Sequence, residues 1–370
     1  MRLSALWVLA GWSAAAALWP AAASADDWAE LVAKAKQEGA VVVHGAPGKT
    51  YNTALVAAFN KTYPEIKVQF SGAANAVDMP KVLRERQADI YGWDVWISGP
   101  STAVGVLKQA GFFDPLPPVL RRDLTDDSKW INGFESGWMD IGHQIFYSFD
   151  GTIQNPVLVN WDVMPPSRFT SLAELAKPEF AGKIVMHDPR VNGSGSGSSQ
   201  TLFRNVGEET LRKIYKNQVT YTMNGHQIAE WVIRGRYPIG LGLEENDLKE
   251  FQAQGLGKNI KPAPDNYFKI QQISSGFGGI GLVNRAPHPA AARVYINWVL
   301  SKDGQEAWVK VPRNSRRTDV EPAFPELSPK AGNNYFNGQE EQYNKERLRL
   351  MEVAKEEIDG ITPRSGAAKQ

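Results

Sequence analysis

Short apolar runs alternate with helix-like segments along almost the whole chain, and no other feature limits the fold as tightly. Trp28, Leu31, Val32 and Ala35 recur at helical spacing, and Gly39 is a suitable stop. Val41-Val42-Val43 reads as a short strand covered on both faces. A helix over 50–63 turns Leu55, Val56 and Phe59 inward, and Pro64 ends it. Ile66, Val68 and Phe70 alternate as a strand. Asp78 is placed to cap a helix with Pro80 in its first turn and Val82 and Leu83 on its buried side. A strand over 94–97 and a helix over 102–110, stopped by Gly111, complete a βαβαβα series. Such a series predicts a mainly parallel sheet with helices on both faces, an α/β fold.

A second series follows an irregular, proline-bearing stretch over 112–142. Strands are expected over 144–149 and 157–160, and Ser171 with Glu174 makes a capping box for a short helix. Strands over 184–186, 219–222 and 239–243 alternate with helices over 208–217 and from Asn224, and another helix starts near Asn246. A glycine-rich strand over 277–283 precedes two helices, one marked by Ala292, Tyr295, Ile296 and Val299 and one over 301–309. The stretch 312–337 reads as a long surface loop, and Leu350, Met351, Ala354 and Ile358 mark a last helix. No repeat at a solenoid period is present.

Residues 1–25 read as a signal peptide: Arg2, an apolar run to about Leu18, then Ala23-Ser24-Ala25 before Asp26 and Asp27. The remaining 345 residues exceed what one core usually supports, so two domains are expected. Against 41 basic side chains stand 40 acidic ones, and removal of Arg2 with the leader brings the balance to zero. No excess of cations is left to displace counterions from a nucleic acid or to build a polybasic membrane anchor. The absence of cysteine excludes disulfides, thiol catalysis, thiolate metal sites and a lipidated cysteine at the cleavage site. Cleavage after Ala25 and no lipid anchor point to a periplasm.

Several enzyme signatures fail on spacing. Gly48-Lys49-Thr50 follows a strand as a P-loop would, but Val43 stands where its first glycine belongs. In Gly193-Ser194-Gly195-Ser196-Gly197 the central residue is Gly195, where a nucleophile elbow needs serine. The five histidines are scattered with no zinc spacing, and neither a metal nor a cofactor is expected. The Gly/Ser stretch has another use. It follows a strand, precedes a helix near Gln200, and lets backbone amides approach an anion, with Arg190 at its edge. In open α/β sheets ligands bind beyond the carboxyl ends of the strands. Those ends are 44–49, 71–73, 98–101, 187–196, Asn224 and 244–246. A ligand touching both groups of ends lies between two domains.

Val41-Val42-Val43-His44-Gly45, Asp94-Val95-Trp96-Ile97, Gln109-Ala110-Gly111-Phe112-Phe113, Phe180-Ala181-Gly182-Lys183-Ile184 and Ser301-Lys302-Asp303-Gly304-Gln305-Glu306-Ala307 form an ordered set. In that order the chain resembles the periplasmic solute-binding proteins of ABC transporters, in the branch of ferric-ion, polyamine, thiamine and phosphorylated-sugar binders. The resemblance implies the type II fold, two lobes hinged on crossing strands. Its lobes are 26–143 with 281–325, and 144–280, with 326–370 packing on both. It also implies capture of a small polar, anionic solute, delivery to an inner-membrane permease, no reaction, and a monomer. Arg190, Asn192, Gly193, Ser194 and Ser196 are expected to hold the anion, with Asn224 beside them. From the other lobe come His44, Gly45, Lys49, Ser98 and Ser101, while Glu244 and Glu245 meet a hydroxyl or amine. Ferric-ion binders of this branch carry two adjacent tyrosines where Glu244-Glu245-Asn246 stands here. Ferric transport and a secreted hydrolase are the alternatives, with an adaptor surface as a third.

Overall fold

The computed structural model describes residues 25–45, 49–73, 75–243, 245–274, 276, 278–311, 313–330 and 332–360. Apart from Ala25, the expected signal peptide lies outside these residues. Helix α1 (Ala25–Glu38) stops at Gly39, whose φ of +70° is the left-handed turn that glycine tolerates best. Then follow β1 (Ala40–Gly45), α2 (Lys49–Thr62), β2 (Lys67–Gly72), α3 (Asn75–Gln87) and β3 (Val95–Ser98). Helix α3 starts ahead of Asp78 rather than after it, and Asp78 faces His44 instead of capping. In place of the single helix expected over 102–110 stand α4 (Pro100–Thr102) and a π-helical turn, Ala103–Leu107, before β4 (Phe113–Asp114).

The chain leaves this body through β5 (Tyr147–Ser148) and β6 (Thr152–Gln154) and builds a second one. Its elements are β7 (Val157–Asn160), β8 (Ile184–His187), α5 (Ser194–Val206), α6 (Glu208–Lys216), β9 (Thr220–Thr222), α7 (Gly225–Ile233), β10 (Ile239–Leu241), α8 (Glu245–Ala253) and β11 (Ile260–Pro262). The return runs through β12 (Gln271–Ser274) and β13 (Gly279–Val283) to α9 (Pro289–Leu300) and α10 (Lys302–Trp308). Strand β14 (Tyr335–Phe336) and α11 (Asn344–Ile358) come last.

Among the described residues the strands form three sheets. The first runs β2-β1-β3-β13-β4, with β5 also on β13; the second runs β11-β7-β10-β8-β9; the third, β14-β12-β6, lies on the crossing segments. In the first, β1, β2 and β3 are parallel and β13 is antiparallel to β3. The second repeats this, with β8, β9 and β10 parallel and β7 antiparallel to β10. Each sheet is apolar on both faces because helices cover both. Val41, Val43, Val95 and Ile97 face α1, α2 and α9, while Trp96 faces Val82, Val104 and Phe112. In the second lobe Ile184, Met186, Ile239 and Leu241 face α5, α6 and α11, and Val185 and Leu158 face α7.

Two expectations need correction. Strand β5 belongs to the first sheet, although residues 144–280 were expected in the second lobe. The stretch over 312–337 is no surface loop throughout, because Asn314, Ser315, Arg316 and Arg317 are buried. Asn314 donates its N–H to the Thr152 hydroxyl (2.8 Å), and the Arg316 guanidinium donates to the Ser136 carbonyl (2.7 Å). Four consecutive polar residues carry no apolar period, so the sequence pattern is silent where hydrogen bonding does the burying.

Candidate functional site

The carboxyl ends of β8 and β10 meet the start of α5. The whole stretch Ser194–Val206 is helical, so the Gly/Ser run is the first turns of α5 rather than a loop leading to a helix near Gln200. Glycine is poor in a helix interior, and the reason it stands here is space. A Cβ on Gly195 would stand 2.1 Å from the His187 carbonyl oxygen. Gly242, just past β10, also brings its backbone near, since a Cβ there would lie 3.0 Å from the Ser194 carbonyl. The helix start is therefore seated directly on the strand ends.

The first intrahelical donor here is the Gly197 N–H, bonded to the Gly193 carbonyl at 3.0 Å. The amides of Ser194, Gly195 and Ser196 precede it and have no partner within the helix. The Ser196 hydroxyl closes the turn by donating to the Gly193 carbonyl (2.9 Å) and accepting from its N–H (3.1 Å). By contrast, the Ser194 hydroxyl, on a residue only 7% exposed, finds no protein partner, and neither do Ser198 Oγ and Gln200 Nε2. Buried polar groups are nearly always paired, so a cluster of unpaired donors at a helix start is a cradle for an acceptor-rich guest.

Arg190 sits elsewhere than expected. The residue is 2% exposed, and its side chain is held in the fold by two carboxylates. Nε and Nη2 donate to Asp188 (2.9 and 2.6 Å), and Nη1 donates to Asp359 Oδ1 (2.7 Å). Burial raises the Asp188 pKa, but the Arg190 hydrogen bonds and charge outweigh it and hold the carboxyl below its ordinary range. Arg190 thus staples the end of α11 to the loop after β8. Asn224 is likewise engaged as the N-cap of α7, accepting from the Gln227 N–H at 3.0 Å.

On the first lobe, β1 and β3 end side by side, with His44 opposite Trp96 in register. His44 is fully buried, its ring stacked on the Trp96 indole with centroids 3.6 Å apart, and its Nε2 lies 3.4 Å from Asp78 Oδ2. Burial pushes its pKa down to about 4, so the imidazole is neutral near pH 7. His44 packs behind the strand end and does not line its open edge. Gly45, Ser98 and Ser101 lie at or just past that edge, Ser98 buried and Ser101 half-buried. Glu244 lies outside the described residues, as do the side chains of Lys49 and Glu245. Among the described residues no group of His, Cys, Asp or Glu is placed to hold a metal ion.

Sequence reasoning missed a polar cluster around the crossing segments. Asp150, fully buried between β5 and β6, accepts from Thr152 N–H (2.9 Å) and Oγ1 (2.6 Å) and from Arg313 Nη1 (2.9 Å). Burial pushes its carboxyl up despite the Arg313 charge. The Arg313 guanidinium lies over Gly276, where a Cβ would come within 2.5 Å of its central carbon. Gly99, the residue after β3, faces the Gly276 carbonyl and the Gln339 carboxamide, 2.6 and 3.3 Å from where its Cβ would be. Gly99, Gly276 and Gln339 are 63 to 240 positions apart in the chain. Only an alignment of relatives or a fold places them together.

Comparison with known proteins agrees with this architecture. The family model described as bacterial extracellular solute-binding protein matches residues 40–311. An uncharacterised protein of Haemophilus influenzae is 24% identical over 140 residues, and the match spans 36% of this chain and 38% of that protein's length. Among solved structures, iron-bound HitA from Pseudomonas aeruginosa superposes with a TM-score of 0.64 at 15% identity, covering 85% of this chain and 99% of HitA. The Trichodesmium protein IdiA (FutA), in complex with iron and citrate, gives 0.68 at 15% identity, covering 86% and 99%. The periplasmic binding protein AfuA from Actinobacillus pleuropneumoniae, with fructose-6-phosphate bound, gives 0.58 at 19% identity, covering 87% and 99%. The fold is thus the two-lobed, type II periplasmic binding protein fold.

Proposed function

The chain belongs to the bacterial extracellular solute-binding proteins, and from that premise we propose that it captures a small anionic solute between its lobes for an ABC import system. The protein is exported to the periplasm with its leader cleaved after Ala25. It works as a monomer and passes the solute unaltered to an inner-membrane permease. One observation carries the reading: α5 begins on glycine and serine at the ends of β8 and β10, with its first amides outside the helix's own hydrogen bonds and the Ser194 hydroxyl without a protein partner. Amides fixed at a helix start, aided by the helix dipole, suit a phosphate or carboxylate.

In this reading Asn192, Gly193, Ser194 and Ser196 hold the anion, and Gly45, Lys49, Ser98 and Ser101 approach from the first lobe. Glu244 and Glu245 meet hydroxyls at the solute's other end. Arg190 and His44 act behind the contact surface, Arg190 by fixing α11 and His44 by stiffening the end of β1. Lobe closure adds affinity because both edges touch the guest only when shut. A second reading, transport of ferric ion, draws on the likeness in fold to iron-bound HitA and to FutA with iron and citrate. Against it stands Glu244-Glu245-Asn246 in the place where ferric binders carry paired tyrosines.

Titration calorimetry with inorganic phosphate, a hexose phosphate and ferric citrate tests the proposal. Saturable 1:1 binding of the hexose phosphate, lost in Gly195→Val, supports it. Binding of ferric citrate alone moves the assignment to iron, and binding of none overturns capture of an anion.

A further inference from the structure

We propose that Gln339, carried by the C-terminal segment, is a specificity-determining residue of the solute cleft and that Glu341 positions it. This rests on the function proposed above and extends it to a residue outside the family match, which ends at residue 311. After β14 the chain passes between the two lobes before reaching α11. Gly338 presses on the second lobe and the crossing strands: a Cβ there would lie 2.7 Å from Gln200 Oε1 of α5 and 3.1 Å from Gln272 Nε2 of β12. The next residue reaches the first lobe, its Oε1 lying 3.3 Å from where a Cβ on Gly99 would stand. Within two residues the segment therefore touches the helix that starts at the anion cradle and the strand end opposite it.

The segment is fixed at both ends. Glu341 accepts two hydrogen bonds from Lys108 Nζ (2.8 and 2.6 Å) and one from the Ile141 N–H (2.9 Å), and its own N–H donates to the Met139 carbonyl (2.8 Å). All three partners belong to the first lobe. Beyond it, Leu350, Val353, Ala354 and Ile358 bury the apolar face of α11 in the second lobe's core. Gln339 is half-exposed between these anchors, and its backbone N–H is turned to Asn337 Oδ1 (3.1 Å). A carboxamide offers both donors and an acceptor without net charge. That matches a hydroxylated body attached to an anion: α5 takes the anionic group, and Gln339 reads the hydroxyls. A carboxylate at this position would repel the same guest.

The test is calorimetry with a hexose phosphate and with inorganic phosphate on the wild type, Gln339→Ala, Gln339→Glu and Glu341→Gln. Gln339→Ala is expected to weaken the hexose phosphate about tenfold, roughly what one lost hydrogen bond gives, and to leave inorganic phosphate within about twofold. Gln339→Glu weakens both, the sugar more. Glu341→Gln costs the sugar phosphate several-fold, and the double variant Gln339→Ala/Glu341→Gln is no weaker than Gln339→Ala alone. A general loss of structure would reduce both ligands equally, so equal loss, or a Gln339→Ala that binds the sugar phosphate as the wild type does, overturns this assignment by itself. A wild type that binds neither ligand overturns the anionic-solute reading, and this assignment with it.

Discussion

The two lobes solve one topological problem with opposite chemistry. Each has three parallel strands, the first in the middle, and a fourth strand running against them. Each ties one end of its sheet to a helix from much later in the chain with a buried charge, at the amino end of β3 in the first lobe and past the carboxyl end of β8 in the second. In the first lobe the charge is negative: Asp94 accepts from the Val42 N–H (2.7 Å) and the His288 N–H (2.7 Å) at the start of α9. In the second it is positive: Arg190 holds Asp359 at the end of α11. Both choices follow the helix dipole, which favours an anion at a helix start and a cation at its end. The strand ends differ too. β1 ends on an aromatic stack, while β8 ends on the bare backbone of α5. One strand end is packed by rings, and the other meets hydroxyls without a protein partner.

The largest expected effect separates the two ties. Asp94→Ala strands the Val42 and His288 amides in the first lobe and should cost about 3 kcal/mol or more. Arg190→Ala leaves Asp188 buried without its counter-charge, an effect of similar kind in the second lobe and about 3 kcal/mol. Trp28, Trp93, Trp96, Trp130, Trp138, Trp298 and Trp308 sit in the first lobe against Trp161 and Trp231 in the second. Urea unfolding followed by fluorescence should thus move chiefly with Asp94→Ala, and far-UV dichroism with both. Equal shifts in both signals for both variants would mean that the lobes unfold as one unit and would dissolve the comparison.

Acid sharpens it further. His44 takes a proton at about 4 in the fold but near 6.5 when unfolded. The unfolded chain binds more protons between those values, so stability held above pH 6.5 is lost as pH falls towards 4, by about 3 kcal/mol at most. In the second lobe Asp188, whose folded pKa is depressed, loses its contribution only below the ordinary carboxylate range. The first lobe should therefore loosen at a higher pH than the second, and His44→Phe, which keeps a stacked ring, should remove the difference. The smallest expected effect belongs to Gly195→Ala. Its Cβ would meet the His187 carbonyl, so α5 must shift at a cost of about 1–3 kcal/mol, measurable as a lower urea midpoint.

The alternation of strands and helices was legible because apolar side chains at periods of two and 3.6 leave a trace in any sequence. The composition of Gly193–Ser196 drew a ligand-facing reading, but its helicity was not legible, because glycine and serine argue against a helix. Arg190 was misplaced for a related reason. A guanidinium beside a glycine-rich stretch reads as a free grip, and its partner Asp359 stands 169 residues away. The aromatic cage of His44 could have been suspected from Trp93 and Trp96, yet stacking depends on two strands lying in register. Asn314–Arg317 and Gln339 left no periodic mark at all, since the first are buried by hydrogen bonds and the second is placed by the chain's crossing between the lobes.

Native mass spectrometry of the freshly isolated protein tests the central claim most directly. One non-covalent guest of small mass per chain is expected, acidic when released and absent from Gly195→Val. A bare chain under gentle conditions that also takes up neither phosphate, hexose phosphate nor ferric citrate would contradict it.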